Sequence, residues 1–121
     1  MANRIPTSTR EEVYKRANHQ CELCLSTHVD GIHHIIPRRK RIHRPETLIL
    51  LCKRHHDLAH GPMQIHLQDG LQLYYKMKGY DNDEIRELMG GKYYLNEERM
   101  MDIVRLHFLE LYKNERMINF G

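Results

Sequence analysis

All three cysteines of the chain sit in two short pairs, Cys21-Glu22-Leu23-Cys24 and Cys52-Lys53-Arg54-His55. Two ligands separated by two residues make a knuckle, a tight turn that offers both to one ion. Two such knuckles, with 27 residues between Cys24 and Cys52, supply the four donors of a tetrahedral structural zinc site. Three cysteines cannot close into a disulfide set, and no strand-and-helix setting of a thioredoxin-type motif surrounds the pair. The expected ligands are therefore Cys21, Cys24, Cys52 and His55, with His28 near enough to compete for the fourth place. At 121 residues and 40% hydrophobic, the chain can bury only a modest core, and a bound ion adds stability where it counts.

What lies between and just after the knuckles is unusual in charge and in nitrogen donors. Six of the ten histidines fall between His33 and His60. Residues 1–63 carry 11 Lys/Arg against 6 Asp/Glu, and residues 64–121 carry 8 against 10. The first half is the natural partner of a polyanion, and Arg38, Arg39, Lys40, Arg41 and Arg44 read as a phosphate grip. Gly31–Ile36 reads as a strand that Pro37 ends, because proline cannot donate to a ladder. Leu48–Leu51, four consecutive apolar residues, reads as a strand buried on both faces. A short helix then runs from Lys53 or Arg54 to His60 and stops at Gly61-Pro62. His56 and His60, four apart, share one face of it. Strand, basic loop, strand and helix make a ββα unit closed over a metal.

This segment resembles an HNH endonuclease motif of the zinc-knuckle kind, and its helix spacing is similar to that of colicin-type nuclease domains. The resemblance covers about residues 10–62. It implies that His34, followed by Ile35-Ile36-Pro37, is the catalytic histidine and that His56 is the last histidine of the motif. His33 and His60 match metal-binding positions. Thr47 stands where the family usually has asparagine. The implied activity is metal-dependent hydrolysis of DNA phosphodiester bonds with low sequence specificity, and the other reading is a zinc-stabilised nucleic-acid-binding module that does not cut.

The chemistry agrees with that assignment. Phosphodiester hydrolysis needs a base for water, a cation to offset charge in the transition state, and help for the leaving oxygen. His33, His56 and His60 could hold one divalent ion with positions left open, while His34, on the opposite side of an extended strand, is free to act as base. An all-imidazole set favours Mn, Ni, Zn or Co over Mg, whose preference for oxygen would instead call for a ligand such as Asp30 or Asp57. Threonine at 47 lacks the reach of an amide, so looser holding of His34 and a slower enzyme are expected.

The flanks are less informative. Thr9 and Glu12 fit a capping box for a helix through about Asn18, with Val13 and Ala17 facing inward. Gln64–Tyr75 alternates around Asp69-Gly70 and reads as a β-hairpin. Asp81 or Asn82 to Met89 reads as a short helix ended by Gly90-Gly91. Asn96, with Glu97 and Glu98, caps a longer one to about Glu115. The apolar positions of that helix exceed one stripe, which reads first as core packing, with a homodimer surface as the alternative. His66 and His107 are read as ordinary residues. No apolar run approaches the ~20 residues of a membrane span, and residues 1–6 lack a signal-peptide pattern, so an intracellular (cytoplasmic) protein is expected. The resemblance to small HNH proteins extends equally to restriction, phage and mobile-element (homing) nucleases. The expected fold is a single α+β domain: a ββα-metal core with zinc knuckles at residues 10–62, an N-terminal helix, and a C-terminal hairpin plus helices over 63–121.

Overall fold

The strand Leu48–Cys52 (β2) is buried along its whole length, as its unbroken apolar run requires. The computed structural model describes residues 4–36, 43–91 and 98–120, without the side chains of 116–120. Among these residues the chain is a small mixed α+β protein with five α-helices and one two-stranded antiparallel sheet. It divides into two compact units, Met1–Gln64 and Ile65–Gly121.

In the first unit, helix α1 (Thr7–Arg16) leads to strand β1 (Val29–His34), a short 3-10 turn at Pro45–Thr47, β2 and helix α2 (Lys53–Ala59). Val13 and Ala17 pack on Leu48 and Leu50, with Ile5, Tyr14, Val29 and Ile32 around them. Each fully buried leucine there contributes roughly 1.5–3 kcal/mol. β1 pairs with β2 so that His33 faces Ile49 and His34 faces Leu48, and the register slips between Val29 and Gly31. Such a bulge re-aims the residue inside it, here Asp30. Glu22, within the first knuckle, accepts from Arg16 Nε at 2.7 Å, Arg16 Nη2 at 2.6 Å and the Leu50 amide at 2.8 Å. Arg16 also donates to the carbonyls of Pro45 and Leu48. One charge-assisted network thus ties the knuckle to β2.

Two boundaries differ from expectation. α1 starts at Thr7, with Pro6 as its N-cap and no side-chain cap, so the Thr9–Glu12 box does not form and both residues lie inside the helix. The fixed φ of Pro6 sets the entry to the helix earlier. β1 runs Val29–His34, not Gly31–Ile36, although Ile35 and Ile36 stay buried beyond its end. Pro37 lies outside the described residues.

The second unit holds the main correction. Gln64–Tyr75 is not a hairpin: helix α3 spans Gln64–Met77. Beside the alternation of Ile65, Leu67, Leu71, Leu73 and Tyr75, the same stretch carries the helical spacing Leu67, Leu71, Tyr74, and all three of these residues are fully buried. Asp69-Gly70 serves that helix. Asp69 is buried and takes Arg99 Nε at 2.7 Å and Nη2 at 3.1 Å. A Cβ on Gly70 would lie 2.5 Å from Phe108 Cδ2 and 2.8 Å from Val104 Cγ1, so the missing side chain permits a close helix crossing instead of a turn.

Helix α4 (Asn82–Leu88) carries a capping box between Asp81 and Glu84. Helix α5 (Asp102–Phe120) starts later than expected, and Asn96 and Glu97 lie outside the described residues. Val104, Phe108 and Leu111 form its buried stripe, while Met101 and Leu106 are exposed.

Candidate metal centres

The first centre is lined by sulfur. After α1, Asn18 and His19 take positive φ values, and the Cys21–Cys24 turn is closed by Leu25 N donating to Cys21 O at 2.8 Å and Cys21 N to Ser26 O at 2.9 Å. The donor atoms of Cys21, Cys24, Cys52 and His55 all lie within 4.8 Å of one another. His55 Nδ1 is 3.6 Å from Cys21 Sγ and 3.3 Å from Cys52 Sγ, and Cys24 Sγ is 3.8 Å from Cys52 Sγ. A tetrahedron with zinc–sulfur bonds of ~2.3 Å has sulfur–sulfur edges of ~3.8 Å, so these spacings fit zinc without rearrangement. His55 supplies the fourth donor, whereas His28 is exposed and outside the group.

The local chemistry favours the ligating form at Cys52 and His55, while burial raises the Cys24 thiol. Burial would raise the Cys52 thiol, but the backbone amide of His55, the neighbouring thiols and the Arg54 amide outweigh it and pull the pKa below the usual thiol value. Cys52 is the N-cap of α2, where amides and helix dipole both favour a thiolate. Burial, helped by Arg54, lowers His55 and keeps its ring neutral.

The second centre is lined by nitrogen. His33 from β1 meets His56 from α2 and His60 at its C-terminal end, with ring centroids 5.7 Å (33–56), 4.8 Å (33–60) and 4.9 Å (56–60) apart. One donor atom from each lies within 4.8 Å of the others. His33 is buried, His56 half-buried and His60 exposed, so the group opens to solvent on one side. Burial, above all, pushes His33 down to about 4, with the neighbouring histidines adding to the shift. Its Nε2 is 2.7 Å from Gln64 Oε1, while Nδ1 is buried with no hydrogen-bond partner. A buried imidazole nitrogen with no hydrogen-bond partner is available to a metal. Neither Asp30 nor Asp57 joins the group: Asp30 Oδ2 lies 2.7 Å from His56 Nδ1, and Asp57 accepts from Lys53 at 3.0 Å.

His34 follows His33 on β1 and is not part of the triad; its ring centroid lies 5.5 Å from that of His43. Thr47 is fully buried. Its hydroxyl donates to Arg44 O at 2.9 Å and accepts from Arg44 N at 3.3 Å. Its carbonyl accepts from Ile35 N, the residue after His34, at 3.0 Å. The hydroxyl reaches both backbone groups because the 3-10 turn brings residue 44 back to 47, so the short side chain grips the loop despite lacking an amide. Of the five basic residues, Arg44 is exposed, and Arg38, Arg39, Lys40 and Arg41 lie outside the described residues.

Sequence reasoning missed Gln64, which sits beyond the expected end of the motif, and considered Asp30 only as a ligand. No spacing rule signals either role. No described helix is long and apolar enough to cross a membrane. Compared with known proteins, the chain matches no family model, no curated protein and no solved structure.

Proposed function

We propose that residues 1–64 form an HNH endonuclease with a ββα-metal core, a structural zinc in its knuckles and one catalytic divalent ion, acting on DNA. The observation that carries this reading is the convergence of His33, His56 and His60 on one point, open to solvent at His60, with His34 next in the strand but outside the group. A divalent ion held there would act as a Lewis acid on the scissile phosphate, and the imidazole donors favour Mn, Ni, Co or Zn over Mg. His34 takes the proton of the attacking water through a ring nitrogen. Thr47 holds the backbone on which His34 is carried, through the Ile35 amide and both backbone groups of Arg44. Arg44 and the basic run before it grip the phosphates, so affinity is dominated by charge and base readout is slight.

Supercoiled plasmid incubated with zinc-loaded protein and each divalent ion in turn is the test. Nicking with Mn or Ni should exceed that with Mg, and His34→Ala should lose ~10²–10⁴-fold in rate while still binding DNA. Tight, salt-dependent binding with no cleavage under any metal would favour the non-cutting module instead.

A further inference from the structure

We infer that Asp30 and Gln64 are positioning residues for the three-histidine centre, each deciding which ring nitrogen of its histidine faces the ion. The inference deepens the metal-centre reading above and rests on it. A neutral imidazole has one protonated nitrogen and one lone pair, and only the lone pair can ligate. Asp30 Oδ2 sits 2.7 Å from His56 Nδ1. An ionised carboxylate only accepts, so Nδ1 carries the proton and Nε2 is left for the metal.

On the other side, Gln64 Nε2 donates to the Ile35 carbonyl at 2.9 Å. This fixes the amide, because the flipped orientation would set two carbonyl oxygens against each other. Oε1 therefore faces His33 Nε2, at 2.7 Å, and must accept from it. The lone pair falls on Nδ1, the one His33 nitrogen that is buried without a partner. The two histidines thus present opposite nitrogens to a common point. Free imidazole favours the proton on Nε2, so Asp30 imposes on His56 the tautomer it would otherwise avoid, whereas Gln64 locks His33 in the one it prefers.

Both devices follow from the chain path. The register slip between Val29 and Gly31 turns Asp30 toward α2. After His60, a turn at residues 61–63, closed by Gly61 N and Met63 N on Leu58 O, brings Gln64 back beneath β1. Metal-bound histidines are commonly held this way by a carboxylate or carbonyl, and loss of the outer partner typically lowers affinity 10–100-fold.

Zinc-loaded protein titrated with Co2+, followed by visible absorbance, tests the inference, since cobalt entering the sulfur site would show separately as thiolate charge transfer. Wild type should take up one Co2+ at the histidine centre. Asp30→Ala and Gln64→Leu should each weaken that binding by about 10–100-fold. Asp30→Asn, which still offers an oxygen acceptor, should restore most of it. Imidazole 15N shifts give a second readout: His56 should carry its proton on Nδ1 in wild type and on Nε2 in Asp30→Ala. Equal cobalt affinity in wild type, Asp30→Ala and Gln64→Leu would overturn the inference and leave the centre standing. Failure of wild type to bind cobalt beside its zinc would overturn the centre itself. Asp30 is 41% exposed, so its variants keep the fold and decide the matter even where Gln64→Leu does not.

Discussion

The two candidate centres are fed by the same helix yet differ in nearly every property that matters to a metal. His55 goes to one, while its neighbour His56 goes with His60 to the other, because consecutive residues on a helix point to different sides. The sulfur centre has four donors, all within 4.8 Å of one another, and three of their spacings, at 3.3–3.8 Å, match the edges of a filled tetrahedron. The nitrogen centre has three; each group has one exposed member, Cys24 in the first and His60 in the second, so it is the missing fourth donor that separates them. A full donor set leaves no room for substrate and so serves the fold. An incomplete set on an open face leaves positions for chemistry.

Breaking each centre in turn should expose the contrast. The largest effect is expected from the sulfur site: Cys52→Ala, or zinc removal by a strong chelator, should unfold residues 1–64, since zinc at such sites supplies about 10 kcal/mol or more of apparent folding energy. Circular dichroism before and after chelation checks this, and an unchanged melt would make the centre dispensable. His60→Ala should do the reverse, lowering cobalt affinity and cleavage at least ~100-fold. Stability should stay within about 0.5 kcal/mol, because the residue is exposed. A third substitution probes a region with no ligand. Gly70→Ala should destabilise residues 65–121 by about 1–3 kcal/mol through collision with Phe108 and Val104, with the metal content of the folded protein unchanged.

The smallest effect is a pH dependence. His33 has a folded pKa of about 4 against an ordinary 6.5. Above the higher value both states are neutral there. Below it the unfolded chain binds a proton that the folded chain refuses, so stability falls as pH drops through the window between the two. The loss is about 1 kcal/mol by pH 5.5, measured by urea unfolding of zinc-loaded protein lacking the second ion and compared with His33→Gln. An identical pH dependence in that variant would assign the effect elsewhere.

How much of this could be read from the chain depended on the range of the interactions. The grouping of residues 21, 24, 52 and 55 was legible because a four-donor cluster is built from local turns with a fixed chemical signature. β2 was legible because an unbroken apolar run has few other fates in so small a chain. Residues 64–75 were not: their apolar pattern fits period two as well as period 3.6, and the residue that settles the matter is Phe108, packed against Gly70 from far along the sequence. Gln64 was invisible for a similar reason, since its role exists only once the turn after α2 returns it to β1. Pro6 shows the opposite failure, where a strong local signal at Thr9 and Glu12 lost to an earlier helix start.

Anomalous diffraction from crystals grown with zinc and then soaked in cobalt tests the central claim most directly. Two ions per chain are expected, zinc among Cys21, Cys24, Cys52 and His55, and cobalt bound by His33 Nδ1, His56 Nε2 and His60. A single ion, or a second one seated away from those three rings, would contradict it.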